Sequence, residues 1–145
     1  MQKVLVFGTF DLLHPGHLAF LDAAVKYGAV TVVITPNFKA KKEKGRAPHF
    51  SERERMQMVA ALKNVSRVVI GDKGKKWSVV RRLAPDVICV GHDQHAKHPA
   101  FLAQLATLKK RPKIVRLSSF KSSRYSTSKV KLEIHRSHRR KQSIV

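Results

Sequence analysis

Residues 3–7 form a short apolar run that stops at Gly8, the pattern of a buried strand. Pro15 then stands where a helix can begin, and Leu18, Leu21, Ala24 and Val25 recur at helical spacing. A second apolar run, residues 29–35, is rich in β-branched side chains and is closed by Pro36-Asn37. Lys39, Lys41, Lys42, Lys44 and Arg46 follow closely and read as a basic loop. Ser51-Glu52-Arg53-Glu54 has the Ser-x-x-Glu form of a capping box, opening a helix with Met58, Val59 and Leu62 on one face. Residues 67–70 predict a third strand, ended by Gly71-Asp72, and residues 77–83 a helix. Ala84-Pro85-Asp86 leads into a fourth strand at 87–90. A helix at 99–108 and a fifth strand at 113–117 complete the alternation, and Ser126 or Thr127 can cap a last helix reaching about His138.

Strands alternating with helices predict an α/β fold: one Rossmann-like domain with a five-stranded parallel sheet, right-handed crossovers and helices on both faces. Residues 1–134 are expected to form this domain and residues 135–145 a basic, frayed tail. In such sheets ligands sit beyond the carboxyl ends of the strands. The first strand ends at Gly8-Thr9 and the fourth at Gly91-His92-Asp93, so both fall on the expected binding edge.

Composition changes this picture in three ways. With 145 residues, 43% hydrophobic and 27% charged, the chain has the make-up of one globular domain. No apolar run approaches the roughly 20 residues that cross a bilayer, and the start does not read as a signal peptide, so a cytoplasmic setting is expected. The single cysteine, Cys89, lies in an apolar run and reads as a small buried hydrophobe. Thirty Lys and Arg against nine Asp and Glu give a formal charge of +21, a surface that attracts polyanions such as nucleotides or RNA.

The chemistry concentrates in His14-Pro15-Gly16-His17. Two histidines at a glycine-flanked strand-to-helix junction face the free N–H groups of a helix start, a ready anion site. Gly8 and Gly16 let backbone approach a phosphate, and imidazoles there can donate to a phosphate whose charge grows during transfer. His-x-x-His alone is also explained by capping or packing at a turn. Gly8-Thr9-Phe10-Asp11 immediately upstream favours the anion site. Arg55 and Arg124 are candidate phosphate ligands through their planar forks. His92, His95 and His98 stand at intervals of three, but the flanking strand and Pro99 place them in a loop rather than a metal site.

The run Gly8-Thr9-Phe10-Asp11-Leu12-Leu13-His14-Pro15-Gly16-His17 resembles the signature of the cytidylyltransferase-like nucleotidyltransferase superfamily. Arg124-Tyr125-Ser126-Thr127-Ser128 is similar to its second phosphate motif. Lys44-Gly45-Arg46, Pro48, Glu52, Arg55, Pro85-Asp86 and Gly91-His92-Asp93-Gln94 fall at intervals that look like those of archaeal FAD synthases. The resemblance implies transfer of AMP from ATP to FMN, with pyrophosphate released and Mg2+ accompanying the nucleotide rather than a resident metal. It implies catalytic roles for His14, His17, Lys44 and Arg124. Nucleotide binding would fall to Gly8, Thr9, Phe10, His14, Gly16, His17, Gly91, Asp93, Arg124, Ser126, Thr127 and Ser128. Acceptor binding would fall to Asp11, Lys44, Arg46 and Arg55. Relatives of this fold often pair as dimers. The chain departs from the pattern at Asn37, where the family has an acidic residue, and in lacking the cysteine pair of some archaeal FAD synthases. A cytidylyltransferase acting on CTP and glycerol phosphate is the alternative enzyme, and a basic nucleic-acid-binding protein on the same fold is the alternative of another class.

Overall fold

The strands β1 (Lys3–Gly8), β2 (Ala29–Ile34), β3 (Arg67–Ile70), β4 (Val87–Val90) and β5 (Lys113–Arg116) lie in the order β3-β2-β1-β4-β5. Every neighbouring pair is parallel. The computed structural model describes residues 1–73, 76–91, 99–118 and 126–143. Its helices are α1 (Pro15–Val25), α2 (Asn37–Lys44), α3 (Glu52–Ala60), α4 (Lys76–Leu83), α5 (Pro99–Ala106) and α6 (Thr127–Ser143).

Period-two alternation along the strands gives the sheet two apolar faces. Val4, Val6, Val32, Ile34 and Cys89 join one buried cluster with Leu21 and Ala24 of α1 and Val59 of α3. Leu5, Val33, Ile88 and Val90 join the other with Val79 and Val80 of α4. Helices therefore cover both faces, as the alternation predicts. Each fully buried Val, Leu or Ile contributes about 1.5–3 kcal/mol, so the central strands dominate the stability. Burial pushes the Cys89 thiol up to about 11, which keeps it an inert packing group.

The winding of the chain reverses beside β1, which has β2 on one side and β4 on the other. The crevice at that reversal opens beyond the strands' carboxyl ends, beside Gly8 and Gly91.

Two expectations are corrected. The basic segment after β2 is a helix, α2, rather than a loop: Ala, Lys and Glu favour helix, and Gly45 ends it in the left-handed region at φ 76°. The last helix passes its expected end near His138, continuing to Ser143. Residues 127–143 contain no glycine or proline to stop it. Among the described residues, no helix is long and apolar enough to cross a membrane.

Candidate active site

The site begins where β1 ends. Phe10 adopts φ 49°, a left-handed conformation costly for a bulky side chain, and its ring turns back over Gly8. A Cβ on Gly8 would lie 2.4 Å from that ring, so only glycine admits the fold-back. The ring is buried and sits 5.1 Å from the ring of His17.

His14 caps the N-terminus of α1. Its Nδ1 accepts from Gly16 N–H at 3.1 Å, and the backbone N–H of His14 donates to Nδ1 of His17 at 3.3 Å. The result is a capping box made of two histidines, with Pro15 at the first helical position. Because both Nδ1 atoms accept, each neutral ring carries its proton on Nε2. The rings stack with centroids 3.8 Å apart. Burial lowers the pKa of His14. Burial first, then repulsion from His14 and Lys44, pushes His17 down to about 3. Uncharged imidazole N–H groups at a helix start can donate to a phosphate without binding a proton from water.

A cavity of about 980 Å³ opens over this turn. It lies at the large end of the roughly 300–1,000 Å³ typical of small-molecule sites. Gly8, Thr9, Phe10, Asp11, His14, Gly16, His17, Lys44, Arg46, Gly91, Ser126 and Ser128 all line it, uniting most of the residues singled out in the sequence. Ser126 caps α6 by accepting from Lys129 N–H at 3.1 Å, so a second helix N-terminus reaches the same space. The backbone of Thr127 begins that helix. Asp93, Arg124 and the histidines 92, 95 and 98 lie outside the described residues. Lys39, Lys129 and Lys131 also line the cavity and were not assigned from sequence. The signal for the last two was their place in the first turns after the Ser-Thr-Ser run. The first lay hidden in a segment read as a loop.

Arg55 corrects the expectation that it meets the acceptor. It is fully buried and does not line the cavity. Nε donates to Phe50 O at 3.1 Å, Nη1 to Thr9 O and Thr35 O at 2.8 Å each, and Nη2 to Asn37 Oδ1 at 2.7 Å. It therefore ties the ends of β1 and β2 to the segment preceding α3. Asn37, the departure from the family pattern, is its side-chain partner, and the Asn37 N–H donates to Glu52 at 3.0 Å.

Asp11 lines the cavity, yet both its oxygens are engaged. His49 N–H at 2.8 Å and Lys131 Nζ at 2.8 Å meet Oδ2, and Phe50 N–H at 3.0 Å meets Oδ1. Burial opposes its charge, but Lys131 and the two backbone donors outweigh it and hold the carboxyl below its ordinary value. Among the described residues, no group of three or more His, Cys, Asp or Glu is placed to hold a metal. What the arrangement offers is a basic chamber between two helix N-termini, suited to a polyphosphate.

The sequence and the fold both match known proteins. The cytidylyltransferase-like family model matches residues 5–133. An FAD synthase of Ferroglobus placidus is 42% identical over 95 residues, which are 66% of this chain and 62% of that protein, under two thirds of its length. The FAD synthase of Archaeoglobus profundus is 33% identical over 128 residues, 88% of this chain and 82% of that one. Among solved structures, the lipopolysaccharide core biosynthesis protein of Thermoplasma volcanium superposes with a TM-score of 0.73 at 32% identity, covering 83% of this chain and 99% of that chain. The chain belongs to the cytidylyltransferase-like family.

Proposed function

We propose that the protein is an FMN adenylyltransferase: it moves AMP from ATP onto the phosphate of FMN, forming FAD and pyrophosphate. The observation that carries the reading is the pair of N-capping histidines facing a basic cavity shared with a second helix start. The relatives named FAD synthase direct the choice of substrates.

In this reaction an oxygen of the FMN phosphate attacks the α-phosphorus of ATP in line. The new P–O bond forms as the bond to the β-phosphate bridging oxygen breaks, and the electron pair leaves on pyrophosphate. Little covalent chemistry is required of the protein, so catalysis is positioning and charge neutralisation. His14 and His17 donate from Nε2 to the phosphoryl oxygens as negative charge moves toward the leaving group. Ser126, Ser128 and the first N–H groups of α6 hold the far end of the triphosphate. Lys44 and Arg46, at the end of α2 and just after it, bring positive charge to the two phosphates that must approach one another.

Magnesium fits as the companion of the nucleotide. The cavity carboxylates include Asp11, engaged by three donors, and Asp72, which accepts from Ser78 and pairs with Arg82. Such a set suits an ion held mainly by phosphate oxygens, which supplies charge neutralisation.

The test crosses ATP and CTP against FMN and glycerol phosphate, with Mg2+, and identifies products by mass. FAD from ATP and FMN, abolished in the His14→Ala, His17→Ala double variant, is the expected result. Formation of a CDP-alcohol instead would overturn the adenylyl reading while keeping the site. Silence in every pairing would overturn nucleotidyl transfer itself.

A further inference from the structure

One charged contact in the cavity has no part in the transfer as written. Lys131, in the second turn of α6, reaches Asp11 across 120 residues of sequence. The carboxylate is almost wholly buried, while the lysine side chain is 29% exposed at the cavity wall. Asp11 stands in the turn between β1 and the histidine pair, and also accepts from His49 and Phe50 ahead of α3. The ion pair thus joins the phosphate turn, the segment before α3 and the last helix at one carboxylate.

The rest of α6 gives this contact its weight. Residues 132–140 are all exposed, whereas Val130 and Lys131 are partly buried. Within the described part of the helix, its seating on the domain lies in the first two turns. Those turns carry Ser126 and Ser128. A hydrogen-bonded ion pair on a buried carboxylate is a stiff tether, because releasing it leaves a charge desolvated and underpaired.

We propose that Lys131 is a positioning residue for the triphosphate: its bond to Asp11 sets the first turns of α6, with Ser126 and Ser128, against His14 and His17. The inference rests on the transfer reading above and adds to it a residue that acts through Asp11 rather than on the nucleotide. Since the α6 contacts hold the triphosphate before and during transfer alike, loss of the tether weakens binding more than turnover.

The experiment uses the full chain with three versions of position 131: lysine, Lys131→Met and Lys131→Arg. Amide hydrogen exchange of the nucleotide-free proteins reads the seating of α6 directly. Lys131→Met should speed exchange in the first turns of α6, and Lys131→Arg should restore protection. Calorimetric titration with ATP and Mg2+ should show Kd rising on the order of tenfold in Lys131→Met, the size of one charge-assisted hydrogen bond, with arginine close to lysine. Unchanged exchange alongside weakened ATP binding would mean that Lys131 touches the phosphates itself, overturning the positioning role. Unchanged binding in Lys131→Met would overturn the inference while leaving the transfer reading intact. Failure of the unaltered protein to bind ATP would remove the transfer reading, and this inference with it.

Discussion

At the scale of single residues, the site is built from groups whose ordinary chemistry has been altered by place. His17 shows this most clearly. It stays neutral in the folded protein down to about pH 3, because burial, then His14 and Lys44, oppose its charge. In the unfolded chain it titrates near 6.5. Between those values the unfolded state binds the extra proton, so this stabilisation is complete above about pH 6.5 and declines as the pH falls toward 3. Denaturant titrations at pH 7.5 and 5 should show the loss, and His17→Asn should flatten it. An unaltered slope in that variant would place the acid sensitivity elsewhere. Arg55 is the second case: its four hydrogen bonds go to three backbone carbonyls and Asn37. Arg55→Met leaves those acceptors unsatisfied at the mouth of two strands and should destabilise the fold by about 3–5 kcal/mol, read from thermal or urea melts. Lysine should not rescue it, since a single ammonium cannot reach four acceptors in a plane. Gly8→Ala would drive a Cβ into the ring of Phe10 and disturb the stacked histidines behind it. It should therefore lower kcat even where the fold, read by Tm, is retained.

At the scale of elements, the strands and the first helix were legible because local pattern and tertiary packing agree. Residues 29–34 alternate between the two sheet faces, and His14-Pro15 both starts α1 and forms the anion site. The less legible parts have physical reasons. The stretch 37–44 carries one buried apolar side chain, Ala40, so it lacks the stripe that signals a helix; its helicity comes from propensity and the Gly45 cap. Arg55 looked like a phosphate ligand because its planar fork suits phosphate oxygens, but a sequence does not show that backbone carbonyls already surround it. The partner of Lys131 was invisible for a related reason, since it lies 120 residues away. The end of α6 was expected to fray because it has little apolar content, and its exposure from 132 to 140 shows that the helix there is not packed on the domain. Deletion of residues 135–145, which removes much of this exposed stretch, should therefore leave Tm and the transfer rate nearly unchanged. A large fall in either would show that the outer helix contributes to the domain.

For the whole molecule, the formal charge of +21 acts in two opposed ways. Like charges repel across the surface, which destabilises the compact state, while the same field draws polyphosphates toward a cavity edged by Lys39, Lys44, Arg46, Lys129 and Lys131. Salt separates the two effects. The screening length shrinks from roughly 10 Å at 0.1 M to 3 Å at 1 M, which relieves self-repulsion and weakens steering together. Across that range Tm should rise while kcat/KM for ATP falls by about tenfold or more, with kcat nearly constant. Truncation at 134 removes Arg136, Arg139, Arg140 and Lys141, far along α6 from the cavity turn, and should reduce the salt effect on Tm more than that on kcat/KM. Lys39→Gln, at the cavity, should do the reverse. If instead kcat/KM is flat with salt, the substrate is held by contacts at the two helix starts alone, and the charge of this chain bears on its stability rather than on its catalysis.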